Sequence, residues 1–325
     1  MAKRNESGYR GKRNFIVAIL TAAVLLFCVV SSLQDRMGWE LGLPKLPALD
    51  WLEELLDDAL DDSPKLTSSL EDATLQVYMI DVGQGESILV RTAETVMLID
   101  SGERDQELRV LGFLDSLGIE HIDILIATHP HSDHMGSMAA VIRDKEVGRI
   151  IMPDIPREIM PTSQSFTNLL EAIAEKKLRL TQAVQGDVYE LGEDTTMTIL
   201  GPVKAYDDLN NLSVVCRVDS GEVSFLFTGD MEKKAEKDLL ASGVNLNADV
   251  LGVGHHGSST SSHVDFFEAV GPEIALISCG VDNSYGHPHR EVLSLLSGCT
   301  VYRTDRDGTV LVETNGREIA VERER

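Results

Sequence analysis

The stretch IDILIATHPHSDH (residues 122–134) decides the fold and the chemistry of this chain. Its first half is a run of apolar and β-branched residues, which is typical of a buried strand. The strand leads directly into three histidines and one aspartate, and imidazole and carboxylate groups are the ligands that Zn²⁺ and related divalent ions prefer. His129 and His131 share one face of an extended segment, while Asp133 and His134 can turn toward a second ion. The stretch therefore predicts a metal site at the end of a strand.

Outward from this stretch, short strands alternate with helices over residues 74–325. Apolar runs predict strands at 75–82, 87–92 and 95–100, and helical spacing predicts a helix at 135–144. This mixture is typical of one α/β domain in which helices cover sheets.

Two later strands also end in metal-binding residue types. The segment FLFTGDM (225–231) ends in Asp230, a carboxylate that can bridge two ions about 3.5–4 Å apart or cap the following helix. The segment DVLGVGHHGSS (249–259) ends in His255 and His256. A pair of histidines directly after a strand also indicates metal binding.

The charge of the chain is acidic and uneven. Of 325 residues, 29 are Lys or Arg and 53 are Asp or Glu, which gives a net charge of −24. Residues 1–13 contain five basic side chains and one acidic one (+4), so the remainder carries −28. Such a surface opposes non-specific binding of nucleic acid. The 43% hydrophobic content excludes a mostly disordered chain, and four scattered cysteines exclude a disulfide scaffold.

The N-terminal part predicts a membrane anchor. Residues 1–14 are a basic tail, and 15–33 form an uncharged run of 19 residues, long enough to cross a bilayer as a helix. Basic residues before the run place the N-terminus in the cytoplasm. We therefore expect a single-pass protein of the cell membrane in which the part of the chain after the anchor is extracytoplasmic. A cleaved signal peptide, which would give a secreted protein, is the alternative.

Residues 34–73 predict an acidic stalk. Three prolines interrupt the segment, and its like charges favour a solvated linker that holds the following domain away from the membrane. Leucines at helical spacing leave a short amphipathic helix as the alternative. The domain that follows spans 74–325.

The order of these motifs resembles the metallo-β-lactamase superfamily. The matching segments are LID ending at Asp100, the HxHxDH motif, TGD ending at Asp230, and HHGS at 255–258. Three further segments, DVGQGESIL (81–89), NNLSVV (210–215) and YGHPHREVL (285–293), are similar to the C-terminal hydrolase domain of ComEC-type DNA-uptake channels and its stand-alone relatives. The resemblance implies an αββα sandwich with the site on one edge, and metal-dependent hydrolysis of DNA phosphodiesters.

The resemblance also implies roles for individual residues. Two divalent ions, Zn²⁺ or Mn²⁺, would be held by His129, His131, Asp133, His134, Asp230 and one of His255 and His256. Of that pair we choose His255, because it comes first after the strand. Asp100 would orient a ligand. Because no histidine lies between 134 and 255, the first ion would have fewer nitrogen ligands than is usual in the superfamily, or favour Mn²⁺.

Other polar residues are candidates for contact with the substrate. Asn211 and Ser213 could donate hydrogen bonds to substrate oxygens or simply begin a strand. His256, Ser258 and His289 are further candidates for substrate binding, while Gln84 and Glu86 could line the cleft. His287 could bind a phosphoryl oxygen or protonate the leaving group.

These inferences combine into one expected function. We expect an extracytoplasmic, membrane-anchored phosphodiesterase or nuclease in which two ions hold a bridging hydroxide, Asp133 positions it and His287 assists the leaving group. The expected partners are a phosphodiester such as DNA and the membrane, and no obligate protein partner is indicated. Two alternatives remain: hydrolysis of another bond, as in a lactone or a phosphorylated envelope polymer, and a non-catalytic binding module.

Overall fold

The computed structural model describes residue 66 and residues 68–325. No helix within that part of the chain is long and apolar enough to cross a membrane. The predicted anchor at 15–33 and residues 34–65 and 67 of the predicted stalk lie outside the described residues.

Fifteen strands of the described residues form two sheets. The strands are β1 Leu75–Met79, β2 Ile88–Arg91, β3 Val96–Ile99, β4 His121–Ile126, β5 Glu146–Met152, β6 Leu180–Gln182, β7 Val188–Gly192, β8 Thr195–Gly201, β9 Val215–Ser220, β10 Val223–Phe227, β11 Val250–Gly252, β12 Ile274–Ile277, β13 Thr300–Arg303, β14 Val310–Thr314 and β15 Ile319–Arg323. The first sheet has the order β15-β14-β1-β2-β3-β4-β5-β6, and the second has the order β13-β12-β11-β10-β9-β8-β7.

Six of the eight α-helices in the described residues pack on the outer faces of these sheets. The eight helices are α1 Glu107–Ser116, α2 Ser132–Met135, α3 Met138–Asp144, α4 Gln164–Lys176, α5 Lys233–Ser242, α6 Val264–Val270, α7 Arg290–Leu295 and α8 Thr304–Asp307. Helices α1, α3 and α4 pack on the first sheet, and α5, α6 and α7 pack on the second.

Alternation of side chains along the strands builds the layers. In β1, Val77 and Met79 point into the core between the two sheets, whereas Tyr78 points to the helices on the outer face. In β10, Phe225 and Phe227 enter the same central core, and Leu226 packs under the outer helices. Burial of both faces explains the nearly continuous apolar runs in these strands. The predicted α/β sandwich of two sheets is confirmed.

The segment predicted as one helix over 135–144 differs from that prediction. Helix α2 already begins at Ser132, and a turn at Gly136 and Ser137 separates it from α3. A Cβ atom on Gly136 would lie 2.4 Å from the backbone nitrogen of Arg104, so this position has room only for glycine. This separation allows the histidine segment to form its own short turn of helix.

The parallel strands bring the chemical residues to one edge. In the first sheet, β3 and β4 run parallel, and their carboxyl ends lead into Asp100 and His129. In the second sheet, β10, β11 and β12 run parallel and lead into Asp230, His256 and Ser278. The site therefore lies at the edge where the carboxyl ends of the parallel strands of both sheets come together.

Candidate metal centre

The segment after β4 presents four ligand-type side chains from one tight turn. His131 has an extended backbone before α2, and its Nδ1 lies 3.0 Å from Nε2 of His129. The turn is fixed from behind because the Glu86 backbone N–H donates to the carbonyl oxygen of Asp133 at 3.0 Å. A Cβ atom on Gly85 would lie 2.4 Å from that same oxygen, which explains the glycine in DVGQGES.

Two groups of side chains at this edge can each hold a metal ion. The first contains Asp133, His134, Asp230 and His256, and the second contains His129, His131 and Asp230. Within each group the ligand atoms lie within 4.8 Å of one another. Asp230 belongs to both groups, so its carboxylate has the position of a bridge between two ions.

The two oxygens of Asp230 face different groups. Oδ1 lies 3.1 Å from Nε2 of His134, and Oδ2 lies 3.6 Å from Nε2 of His129. Among the described residues, Oδ1 is buried without a hydrogen bond of acceptable geometry. A buried carboxylate oxygen in that state is costly unless a cation satisfies it. Nε2 of His134 and Nε2 of His256 also lie only 3.3 Å apart. The donor set and these contacts fit a pair of divalent ions.

The electrostatics of the first group also suit cations. Burial raises the pKa of Asp230, but the charges of His134 and His256 outweigh it and hold the pKa well below its usual value. Burial lowers the pKa of His134, but the charges of Asp230 and Asp100 raise it well above its usual value. The carboxylate therefore stays ionised, and a divalent ion would replace the protons that balance it here.

Asp100 lies behind His134 and fixes its orientation. The carboxylate is fully buried and accepts three hydrogen bonds, from the Thr128 backbone N–H at 2.8 Å, from the Thr128 hydroxyl at 2.5 Å and from Nδ1 of His134 at 2.6 Å. The bond to Nδ1 leaves the Nε2 lone pair of His134 for a metal ion. Asp100 has a left-handed backbone (φ 56°), a conformation that costs energy in a residue other than glycine.

The sequence model of one protein family, the metallo-beta-lactamase superfamily, matches residues 80–281, and this range includes both metal groups. The chain belongs to this superfamily. Its fold is one that generally carries metal-dependent hydrolysis, and the candidate metal centre described above is consistent with that.

Proteins with similar sequences include ComE operon protein 3 and competence protein ComA. The chain is 34% identical over 257 residues to ComE operon protein 3 of Bacillus subtilis, covering 72% of this chain and 32% of that protein. It is 32% identical over 300 residues to competence protein ComA of Neisseria gonorrhoeae, covering 91% of this chain and 39% of that protein. The chain therefore spans about a third of the length of these relatives. The predicted resemblance to ComEC-type proteins is confirmed.

Solved structures show the same fold at low sequence identity. The metallo-beta-lactamase fold protein YhfI of Bacillus subtilis has a TM-score of 0.50 and 13% identity, covering 76% of this chain and 99% of that protein. The CmlA beta-hydroxylase E377D mutant has a TM-score of 0.52 and 14% identity, covering 83% of this chain and 60% of that chain.

The histidine pair differs from the sequence-based choice of His255. His256 is the member of the first metal group: its Nε2 lies 3.3 Å from Oδ2 of Asp133, and its Nδ1 donates to the carbonyl oxygen of Ser278 at 3.0 Å. Nε2 of His255 lies 3.6 Å from Oδ2 of Asp230 but belongs to neither group. The geometry corrects the choice to His256. Both residues have a left-handed backbone (φ 53° and 55°), so order after the strand does not decide which ring points inward.

Asn211 and Ser213 support the site from within the fold. Asn211 donates to the Asp208 carboxylate at 2.7 and 2.8 Å, and its Oδ1 accepts from the backbone N–H of Ala235 at 3.1 Å. The Ser213 hydroxyl accepts from the Asp230 backbone N–H at 3.0 Å and lies 3.4 Å from Nδ1 of His129. Since both side chains are buried in these contacts, the structure does not support their prediction as substrate-binding residues.

Ser258 and His289 lie beside the site and hold its loop. The Ser258 hydroxyl lies 3.1 Å from the Thr260 hydroxyl, and Nδ1 of His289 accepts from the Ser259 backbone N–H at 2.8 Å. These contacts order the segment after the HHGS motif, and the two residues remain candidates for substrate contact.

His287 lies beside the histidine pair of the HHGS motif. Its ring centroid is 6.1 Å from that of His256 and 5.8 Å from that of His255. Burial, followed by the charges of His256, His255 and His289, lowers the pKa of His287 to about 4. The imidazole is therefore neutral near pH 7, and cations bound nearby would lower its pKa further. This state favours a hydrogen bond to a phosphoryl oxygen over protonation of the leaving group.

Three supporting residues were missed or left open by the sequence argument. Thr128 donates to Asp100, and Ser278 accepts from His256, but a single hydroxyl or carbonyl at a strand end gives no sequence signal. Glu86 groups with Asp100 and His134, and burial raises its pKa to about 7. The oxygens of Asp100 already accept hydrogen bonds from Thr128 and His134. We therefore treat this third group as a support for the first group and not as a separate metal site.

Proposed function

We propose that this chain is a dinuclear metal-dependent phosphodiesterase that acts on nucleic acid, tethered to the membrane by residues 15–33. The observation that carries the proposal is Asp230, which belongs to two metal-ligand groups at one sheet edge. The name of the Neisseria gonorrhoeae relative, which refers to competence, supports nucleic acid as the substrate. A net charge of −28 beyond residue 13 favours a short contact with the substrate over a long groove.

The proposal gives each residue of the centre a role. His129, His131, His134, His256 and Asp230 would hold the ions, together with Asp133. Bound Zn²⁺ or Mn²⁺ would supply Lewis acidity and lower the pKa of a coordinated water toward neutrality.

Asp133 and His287 would act on the substrate side of the centre. The side chain of Asp133 is 28% exposed, compared with 3% for Asp230, so it faces the opening of the site. Hydrogen bonding from His256 and the charge of His134 outweigh the effect of burial and lower the pKa of Asp133, so it is ionised and can orient the attacking water. His287, being neutral, would donate one N–H to a non-bridging phosphoryl oxygen.

A substrate panel tests the proposal. The full chain in detergent, loaded with Mn²⁺ or Zn²⁺, is assayed against linear DNA, bis-p-nitrophenyl phosphate and a lactone. We expect cleavage of both phosphodiesters, and loss of cleavage after EDTA treatment and in Asp230→Asn. Asp249→Asn is the matched control, because Asp249 accepts hydrogen bonds from Ser224 and stands apart from the metal groups. Cleavage of the lactone alone would establish a different bond specificity, and fewer than one ion per chain would favour a non-catalytic module.

The membrane anchor is tested separately. We propose that the apolar run remains uncleaved, with the hydrolase domain outside the cytoplasm. Mass spectrometry of the membrane-extracted protein should then show an intact N-terminus, and externally added protease should digest the domain in spheroplasts. A mature chain that begins near residue 33 would show a secreted protein instead.

A further inference from the structure

The loop after β12 carries two exposed apolar side chains and contains His287, whose ring lies 6.1 Å from that of His256. We call residues 280–289 the rim loop. Within it, Val281 is 62% exposed and Tyr285 is 65% exposed. The loop GVDNSYGHPH contains no Lys or Arg, so it has no fixed positive charge with which to hold a phosphate. An exposed aromatic ring beside a site is instead suited to a flat partner.

Tyr285 is the outer end of a column of nearly parallel rings. Its ring lies 5.5 Å from that of His287 with an angle of 20° between the planes. The ring of His287 lies 6.1 Å from that of His256 at an angle of 27°. His256 belongs to the first metal group. Through His287, the column therefore connects the exposed ring of Tyr285 to His256, which belongs to the group that would bind the scissile phosphodiester.

The rim loop is fixed by its own hydrogen bonds. The side chain of Asn283 accepts from the His287 backbone N–H at 2.9 Å and donates to the carbonyl oxygens of His287 at 2.7 Å and Gly280 at 2.9 Å. Oε1 of Gln84 accepts from the Gly280 backbone N–H at 3.2 Å. A ring held in place before binding loses little conformational entropy when a ligand stacks on it.

We infer that Tyr285 stacks on a nucleobase of the substrate, in a nucleotide next to the phosphodiester that lies at the metal centre. The inference rests on the proposed function and adds how the substrate is recognised. Stacking on an aromatic side chain accepts every base, because each base has a flat π face. Recognition through a base also avoids the repulsion that an acidic protein exerts on a row of phosphates.

The inference predicts which form of nucleic acid is preferred. A base inside a duplex is already stacked on its neighbours, so its face is not available to Tyr285. A single strand, a frayed end or a short oligonucleotide offers that face. The preferred substrate is therefore a single-stranded nucleic acid, in contrast to an envelope polymer whose repeating units lack a flat base.

The test compares oligomers with and without bases. The full chain in detergent with Mn²⁺ is given labelled oligothymidylate or an abasic oligomer of the same length and backbone. We measure kcat and KM for cleavage. The Kd is measured by fluorescence anisotropy in the Asp230→Asn chain, with and without Tyr285→Ala, because this chain should not cleave the oligomer. For oligothymidylate, Tyr285→Ala should raise KM and Kd by about 5- to 100-fold and leave kcat within about twofold. For the abasic oligomer, the same variant should change neither.

Two matched variants control for indirect effects. Tyr285→Phe keeps the ring and should retain the KM of the unchanged chain for oligothymidylate. Leu108→Ala removes another exposed apolar side chain (84%), on α1 outside the metal groups, and should also have no effect.

The possible failures can be told apart. Stacking is refuted if Tyr285→Ala leaves the affinity for oligothymidylate unchanged, or if it weakens the binding of both oligomers equally. It is also refuted if neither oligomer binds to the unchanged chain. If the unchanged chain cleaves both oligomers equally well, stacking is refuted and phosphodiesterase activity stands. If neither is cleaved but binding depends on the base and on Tyr285, stacking stands and the proposed activity is refuted.

Discussion

The substitution Asp100→Asn tests whether the contact behind His134 controls metal binding. In the structure, Oδ2 of Asp100 accepts from both the Thr128 hydroxyl and Nδ1 of His134, and Oδ1 accepts from the Thr128 backbone N–H. An asparagine must place an NH₂ group where one of these oxygens lies. If it lies opposite His134, the amide donates to Nδ1, and the ring proton moves to Nε2, where it blocks the metal.

The size of the effect follows from these contacts. Loss of such a supporting hydrogen bond typically reduces metal affinity by about 10- to 100-fold, which is about 1.4–2.7 kcal/mol. If the amide faces the Thr128 backbone instead, one buried donor loses its acceptor, which costs about 1–3 kcal/mol of stability. The expected result is therefore weaker metal binding, with a smaller or comparable loss of folding stability.

Competition with a chromophoric chelator measures the affinity, and thermal unfolding in EDTA measures the stability of the metal-free chain. Asp249→Asn is again the control, since Asp249 accepts two hydrogen bonds from Ser224, at 2.8 Å each, without contact to a ligand histidine. Metal affinity of Asp100→Asn equal to that of the unchanged chain would refute the idea that Asp100 sets the orientation and proton position of His134.

Three further predictions concern other residues of the site. His256→Ala should reduce the bound metal to about one ion per chain by elemental analysis, whereas His255→Ala should retain both ions; equal losses would contradict the choice of His256. Asn211→Ala should lower the free energy of unfolding by about 1–3 kcal/mol in urea titrations, because the backbone N–H groups of Glu232 and Ala235 at the start of α5 lose their acceptor; loss of activity at full stability would contradict a supporting role. The folded-state pKa of His287, about 4, lies below its unfolded value, so its neutral form stabilises the chain above pH 6.5 and this contribution is lost as the pH falls toward 4. His287→Gln should therefore reduce the loss of stability across that window in unfolding scans and leave the shape of the pH–rate profile between pH 5 and 8 unchanged; a lost basic limb would restore the acid role.

Local sequence patterns predict much of the fold because apolar residues recur with the spacing typical of a strand or of a helix. Alternation in β1, where Val77 and Met79 face one core and Tyr78 the other, is a direct consequence of a strand buried on both faces. The edge strands β6, β7 and β15 were not predicted. Their residues are mostly half-buried or exposed, so the apolar signal is weak.

The ligand types at the site were predictable, but some of their contacts were not. The sequence places histidines and carboxylates after strands, and the parallel arrangement of strands brings these ends together. Which of His255 and His256 points inward depends on two left-handed residues, stabilised by bonds from the His255 backbone N–H to Gly229 and from the His256 ring to Ser278. The role of Asn211 depends on helix α5, which lies 20 or more residues further along the chain. Such long-range contacts have no local pattern.

Crystals of the full chain grown with Mn²⁺ or Zn²⁺, measured on both sides of the metal absorption edge, would show directly whether Asp230 bridges two ions. We expect two anomalous peaks about 3.5–4 Å apart, with one oxygen of Asp230 or its whole carboxylate between them. His129 and His131 should contact one peak, and His134 and His256 the other. A single peak, or two peaks that Asp230 does not bridge, would contradict the dinuclear centre.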